Sequence, residues 1–413
     1  MDKKLFKAVK SCRICGNEDL VLILDLGDQP PANSLRGDLE TPLPKIPLQL
    51  FCCSSCGSVQ LSVSVSPEYL FRHYVWVTGT AETTRKYSQL FCDRILERMP
   101  TEGRFKVIEI ASNDGTFLRP FKEMGHEILG VDPAGNIAKL ANKAGIDTIP
   151  EFFGTAVADK IVSSFGHADC IFARNVVPHV EDAHDVLEGM RRCMDENALG
   201  AIEFHYAGKI HRELHYDSIY HEHNLYLSLT SLCRMFRDHG LTCFDVTESP
   251  ISGGSLVAYF SNKKKIQTPS FKRVIENEAR TGLNTVKVWK DFARRSIRHK
   301  KALVNAIRSI PAKIIGYGAS ARSSTLLNFC GIDNSILECI ADKSQMKHNK
   351  FTPGTDIRIV SPDEAFGLKP SSVLLLAWNF RDEILKEIKD KYGFSGQVVI
   401  PFPGKVRIVK VKS

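Results

Sequence analysis

The sequence predicts an α/β protein in which two doubly wound sheets follow a small cysteine-rich domain. Three observations carry this. Two C-x-x-C-G pairs stand near the N-terminus, Cys12-Arg13-Ile14-Cys15-Gly16 and Cys53-Ser54-Ser55-Cys56-Gly57. From Phe105 to about Phe260, short apolar runs alternate with helical patterns. At Ile314 the alternation starts again, with a Gly-rich turn behind its first strand. A chain of 413 residues is too long for one ordinary domain. Its divisions are expected at 1–75, 76–265 and 266–413.

Composition sets the class. The chain is 43% hydrophobic and 25% charged, which suits a soluble globular enzyme. A modest net charge of +8 suits an anionic ligand such as a nucleotide diphosphate, and would also suit weak nucleic-acid contact. No apolar run is long enough to span a bilayer. Met1 to Lys10 lacks the apolar stretch of a signal peptide. A cytoplasmic monomer without nucleic-acid or membrane partners is expected. In that compartment the 12 cysteines serve as thiols or metal ligands rather than disulfides.

The two knuckles offer four thiolates, Cys12, Cys15, Cys53 and Cys56, at tetrahedral spacing for zinc. Four ligands close the coordination shell, so the metal is expected to be structural. Cys52 is an alternative ligand, but Cys53 has the correct spacing to Cys56. The insert between the pairs holds Pro30, Pro31, Pro42, Pro44 and Pro47, and reads as extended and loop-rich. An aromatic segment comes next, Tyr69, Phe71, His73, Tyr74 and Trp76, then a helix from about Thr83 to Met99. These aromatics suit either packing between domains or the roof of a ligand site.

The first sheet opens with Val107-Ile108-Glu109-Ile110, which turns through Ala111-Ser112-Asn113-Asp114-Gly115 into a helix. That is a nucleotide-binding unit. Asp132 ends the next apolar run, where a carboxylate accepts the hydroxyls of an adenosine ribose. The turn lacks G-x-G-x-x-G, and Glu109 near the strand end would repel a diphosphate and attract a cation. S-adenosylmethionine, with its ribose and positive amino-acid tail, fits better than a dinucleotide. Strands are expected at 107–110, 128–131, 147–149, 169–173, 199–204, 242–246 and 255–260, the last two as an antiparallel pair. Strand C-termini line the crevice of an open sheet, which puts Asn175 and His179 at its mouth. Phe152, after the third strand, is placed to stack on adenine or to pack.

Residues 268–310 read as one helical linker. The second unit, Ile314-Ile315-Gly316-Tyr317-Gly318-Ala319-Ser320-Ala321-Arg322-Ser323, is strand, turn and helix. Its G-x-G pair and helix N-terminus suit a phosphate, with Ser320, Arg322 and Ser323 adding side-chain contacts. Its second strand ends at Asp342. Two such folds suggest two ligands. Between them lies Tyr220-His221-Glu222-His223. On a helix, Tyr220 and His223 share a face and reach one substrate. Histidine serves as a general base near neutrality, and a tyrosine hydroxyl can steady a developing enolate oxygen. The same helix would part His221 from His223, which argues against a metal there.

Taken together, these motifs resemble those of the sugar C-methyltransferases that act at C-3 of nucleotide-linked 4-keto sugars. The resemblance covers essentially the whole chain. It rests on both cysteine pairs, Glu109-Ile110-x-x-Asn113-Asp114-Gly115, Tyr220-x-Glu222-His223, Gly253-Gly254 and Gly316-Tyr317-Gly318-Ala319. It implies that His223 is the base, that Tyr220 and Glu222 line the sugar site, and that His179 joins them. It also implies that an aromatic of the 73–76 linker reaches the sugar, Tyr74 or Trp76. The methyl donor would bind at the first unit and the substrate's nucleoside diphosphate at the second. Two residues depart from the pattern: Ala111 stands at the usual first glycine of the donor turn, and Ser252 stands where a histidine is common. Two rival functions remain. An NAD-dependent nucleotide-sugar oxidoreductase would need a Tyr-x-x-x-Lys pair in a suitable place and a third glycine between Gly316 and Ser323, and neither is found. A zinc-ribbon RNA-binding methyltransferase would need more positive charge.

Overall fold

The computed structural model describes residues 5–72, 77–80, 82–100, 103–310 and 313–412. Tyr74 and Trp76 lie outside them. Near the N-terminus, β1 (Phe6–Ala8) pairs antiparallel with β5 (Val63–Val65). Strands β2 (Leu20–Gln29), β3 (Ile46–Cys53) and β4 (Val59–Leu61) form an antiparallel sheet. In β3, Ile46, Leu48, Leu50 and Cys52 point inward and are buried, while Pro47, Gln49 and Phe51 are only partly covered. This is the two-residue period of a sheet with one face on a core. The fourth strand comes from far along the chain: β11 (Leu225–Tyr226) pairs with β4, Leu225 opposite Gln60 and Tyr226 opposite Val59.

The central sheet is built from β6 (Lys106–Ile110), β7 (Glu127–Val131), β8 (Thr148–Ile149), β9 (Ala168–Arg174), β10 (Met194–His205), β12 (Thr242–Ser249) and β13 (Ser255–Ser261). Its order is β12-β13-β10-β9-β6-β7-β8. The five strands from β6 to β10 are parallel, and β12 and β13 add the antiparallel edge expected from the sequence. Connections run outward in opposite directions from β6, so a crevice opens at the C-terminal ends of β6 and β9. Both faces are covered, and Ile171, Phe172 and Ala173 of β9 are fully buried.

The C-terminal sheet repeats the plan with β14 (Ile314–Tyr317), β15 (Ile340–Ala341), β16 (Ile359–Val360), β17 (Ser372–Leu375), β18 (Gly396–Ile400) and an antiparallel β19 (Arg407–Val411). The order is β16-β15-β14-β17-β18-β19.

Two local expectations change. The 268–310 segment is two helices, Pro269–Thr281 and Val286–Arg308, because Gly282 takes a left-handed conformation (φ 65°) and caps the first. Tyr220 to His223 is a turn, not a helix. The helix Ala207–Glu213 ends at Leu214 in a left-handed conformation, a short 3₁₀ segment comes next at Tyr216–Ser218, and the His223 N–H bonds the Tyr220 carbonyl at 2.8 Å. Among the described residues, no helix is long and apolar enough to cross a membrane.

Candidate active site

A cleft of about 660 Å³ opens where the topology places it. Glu109, Ala111, Asn113 and Asp132 line one part, and His179, Tyr220 and His223 another. Phe152 and Asn175 also line it, and the Arg72 guanidinium sits 4.7 Å over the Phe152 ring.

The turn after β6 alternates left-handed residues, Ala111 (φ 52°), Asn113 (φ 52°) and Gly115 (φ 76°). This winding turns the Asn113 N–H onto Asp132 Oδ2 at 2.8 Å, while Asp132 Oδ1 accepts from the Ala134 N–H at 2.9 Å. Burial raises the Asp132 carboxyl above its ordinary range, against those two N–H groups. Asp114 and Gly115 support the turn from outside the cleft. Asp114 Oδ2 accepts from the Gly79 N–H at 3.0 Å, and Asn113 Oδ1 from the Thr78 N–H at 2.8 Å. A Cβ on Gly115 would fall 2.7 Å from Ile146, so glycine is required there by packing as well as by φ.

Glu109 is buried, and its Oε2 has no hydrogen-bond partner among the described residues. Burial pushes its carboxyl well upward, opposed by Arg174 and helped by Asp114, Asp132 and Glu203. Arg174 itself is held in an ion pair with buried Glu203, 2.7 Å from Nε to Oε2. An orphaned buried carboxyl in a cleft wall fits a ligand that brings positive charge.

In the second part of the cleft, the His179 and His223 rings meet edge-on at 4.7 Å, and Tyr220 lies against His223 at 3.9 Å. His223 Nδ1 is 2.8 Å from the Ser218 carbonyl oxygen. A carbonyl only accepts, so Nδ1 carries the proton and Nε2 keeps its lone pair. Burial lowers His179 to about 4. Burial and the neighbouring His179 push His223 well below the ordinary histidine range. Both are neutral at pH 7.

Asn224 fixes their spacing. Its Nδ2 donates to the carbonyls of His179 (2.8 Å) and Val180 (3.2 Å), and its own carbonyl accepts from the Leu61 N–H of the N-terminal sheet at 3.0 Å. Glu222 turns away from the cleft. Its Oε1 accepts from Asn33 Nδ2 at 2.9 Å, and burial raises its carboxyl to about 7.

Sequence reasoning passed over His205, at the C-terminal end of β10, which also lines the cleft. The strand-end rule that picked out Asn175 applies equally to it. Asn224 carried no signal, since its partners are distant in sequence.

The four predicted ligand sulfurs lie together, all within 4.8 Å of one another, with Cys12–Cys56 at 3.6 Å and Cys15–Cys53 at 3.7 Å. Tetrahedral zinc–thiolate bonds of about 2.3 Å set sulfurs about 3.8 Å apart, so the cluster fits a structural zinc. Cys52 is buried elsewhere, with its thiol toward the Cys53 carbonyl.

At the C-terminal turn each predicted phosphate contact already has a protein partner. Ser320 and Ser323 cap their own helix. The Ala319 N–H donates to Asp342 Oδ2 at 2.8 Å, and Tyr317 donates to Glu387 at 3.0 Å. Arg322 grips Asp217 through two bonds of 3.0 and 2.9 Å and lies over Trp378. A Cβ on Gly316 would meet Leu376, and one on Gly318 would meet Ala377. None of these residues lines the cleft described above.

Three family models match in succession: a zinc binding domain at residues 12–71, a methyltransferase domain at 84–246 and a C-methyltransferase C-terminal domain at 250–403. C-methyltransferase NovU of Streptomyces niveus is 30% identical over 416 residues, covering 99% of each chain. The chain belongs to the C-methyltransferase family. Among solved structures, magnesium protoporphyrin IX methyltransferase of Synechocystis is 11% identical, over 43% of this chain and 79% of that one, with a TM-score of 0.33. An S-adenosylmethionine-dependent methyltransferase of Clostridium acetobutylicum is 9% identical, over 46% and 94%, with a TM-score of 0.35. In this C-methyltransferase the residues that could hold S-adenosylmethionine are those of the Glu109–Asp132 part of the cleft, where Glu109 Oε2 is left without a partner among the described residues.

Proposed function

We propose that the enzyme transfers a methyl group from S-adenosylmethionine to C-3 of a nucleoside-diphosphate-linked 4-keto-6-deoxy sugar, for branched-sugar synthesis. Methylation at carbon needs a carbanion equivalent, and a ketone supplies one by acidifying the proton on its neighbouring carbon. The observation that carries the reading is His223, whose tautomer is fixed by Ser218 with Nε2 left as the basic atom. His223 removes the C-3 proton and an enolate forms. Tyr220 and His179, packed around His223, face the developing charge on the C-4 oxygen. When bound, S-adenosylmethionine supplies an electrophilic methyl group. Asp132 and Glu109 orient it, so that the protein contributes positioning and proton transfer. The nucleotide half of the substrate is assigned to the C-terminal unit on family resemblance.

Deuterium wash-in at C-3 tests this. With S-adenosylhomocysteine bound and the sugar nucleotide in heavy water, the wild-type enzyme exchanges the C-3 proton. His223→Ala loses exchange and methyl transfer by roughly 10²–10⁴. Exchange at the normal rate in that variant would sink the assignment of His223.

A further inference from the structure

A proton taken by His223 has to leave before the next turnover, and a cleft filled by donor and sugar offers it little water. Beside His223 the structure holds a second, small cavity of about 10 Å³, lined in part by His179, His205, His223 and Tyr226. That is room for about one water molecule. The Tyr226 hydroxyl is buried with no hydrogen-bond partner among the described residues, which gives such a water a polar contact.

From His205 a row of groups leads outward. His205 Nε2 is 3.5 Å from His215 Nδ1, and the two rings stack at 5.6 Å. His215 Nε2 is 3.3 Å from Glu213 Oε2, a contact off the ideal hydrogen-bond line. Both imidazoles are buried, and the Glu213 side chain is 23% exposed. The carboxylate orders the row. As an acceptor it draws the His215 proton to Nε2, which leaves Nδ1 to accept from His205 Nε2–H. His205 Nδ1 is then the remaining acceptor. The spacings are long, as relay contacts often are before substrate closes a site.

We propose that His205, His215 and Glu213 form a relay that carries the C-3 proton from His223 to solvent. This rests on His223 being the base. The proton passes from His223 Nε2 to the cavity water, and the water gives one to His205 Nδ1. His205 then releases its Nε2 proton to His215 Nδ1, and His215 releases its own to Glu213 Oε2. Glu213 returns it to bulk water. Each passage leaves both rings in the opposite tautomer; once the cleft is open, one proton passed back along the row from Glu213 to the cavity water, and from there to solvent, restores them. Burial, joined by the Arg322 charge that bears on both rings, keeps the histidines neutral between turnovers.

The test uses the full-length zinc-loaded enzyme. Its substrate is whichever of the thymidine, cytidine and guanosine diphosphate 4-keto-6-deoxyhexoses the wild type methylates fastest. Two rates are read: C-3 deuterium wash-in with S-adenosylhomocysteine bound, and the first methyl transfer by rapid quench. In His215→Phe and Glu213→Gln, wash-in and steady-state turnover fall about tenfold. The first transfer falls by less than about threefold, because abstraction needs only a neutral His223. Should His215→Phe fail to fold, Glu213→Gln, a near-isosteric change at a partly exposed side chain, decides alone. Equal loss of both rates, or loss of neither, overturns the relay. Normal wash-in in His223→Ala overturns the base assignment instead, and no turnover of any of the three sugars overturns the proposed function.

Discussion

In the central sheet, Asp132 accepts the Asn113 N–H on one oxygen and the Ala134 N–H on the other, at 2.8 and 2.9 Å. In the C-terminal sheet, Asp342 accepts the Ala319 and Ser344 N–H groups in the same way, both at 2.8 Å. Each aspartate directly succeeds the second strand of its unit, and each ties down the turn after the first. Their surroundings differ. Lys347 reaches 3.3 Å from Asp342 Oδ2 and donates to the Ala319 carbonyl at 2.7 Å. Asp132 instead faces a cleft with buried Glu109 nearby, and among the described residues no basic side chain shifts its carboxyl. One frame thus stands in two settings: at Asp132 it opens on the cleft, and at Asp342 a lysine pairs with the carboxylate.

The sharpest way to break this comparison is to remove each carboxylate in turn. Asp132→Ala is expected to weaken S-adenosylmethionine by at least about 100-fold, on the scale of two lost charge-assisted hydrogen bonds. Asp342→Ala is expected to leave that affinity within about twofold and to lower the melting temperature instead. Calorimetric titration reads the first effect and calorimetric unfolding the second. Equal loss of donor affinity in both variants would dissolve the distinction. Next in size, Lys347→Met leaves Asp342 without its cation and costs about 1–3 kcal/mol of stability by urea unfolding, with methyl transfer retained.

Acid sharpens the contrast on the active-site side. His179 is held at about 4 when folded, below its ordinary unfolded value of about 6.5. The unfolded chain therefore binds the extra proton first, and stability falls as pH drops from about 6.5 toward 4. Urea midpoints at pH 7 and pH 5 should differ less in His179→Gln than in the wild type. His223 is displaced in the same direction, so the acid limb of kcat/KM should lie below pH 6.5. The smallest effect concerns Ala111, left-handed where glycine costs nothing. Ala111→Gly should gain about 1 kcal/mol in unfolding free energy and leave donor affinity unchanged.

The parts legible in the sequence are those written in local pattern. Buried parallel strands read as short apolar runs, so β6, β7 and β9 could be placed. The cysteine spacing brought four thiols together because each knuckle is a local turn ending in a left-handed glycine. What local pattern does not carry is a pairing across the fold. Tyr220 and His223 do share one side, but through a turn that starts at Leu214, a residue type with no preference for φ above zero. Arg322 has the look of a phosphate ligand at a helix start, and its tie to Asp217 spans the domain junction. Asn33 takes Glu222 out of the cleft from far upstream in the chain.

The pairing of β11 with β4 also has a consequence for the order of assembly. During synthesis the N-terminal sheet emerges first, yet its outer edge at Val59 and Gln60 stays open until Leu225 and Tyr226 leave the ribosome. Those two residues come directly behind the His223 turn. The nascent protein therefore closes its first sheet and sets the His223 turn in a single late event. A chain released before that point would carry both an unprotected strand edge and an unformed His223 turn.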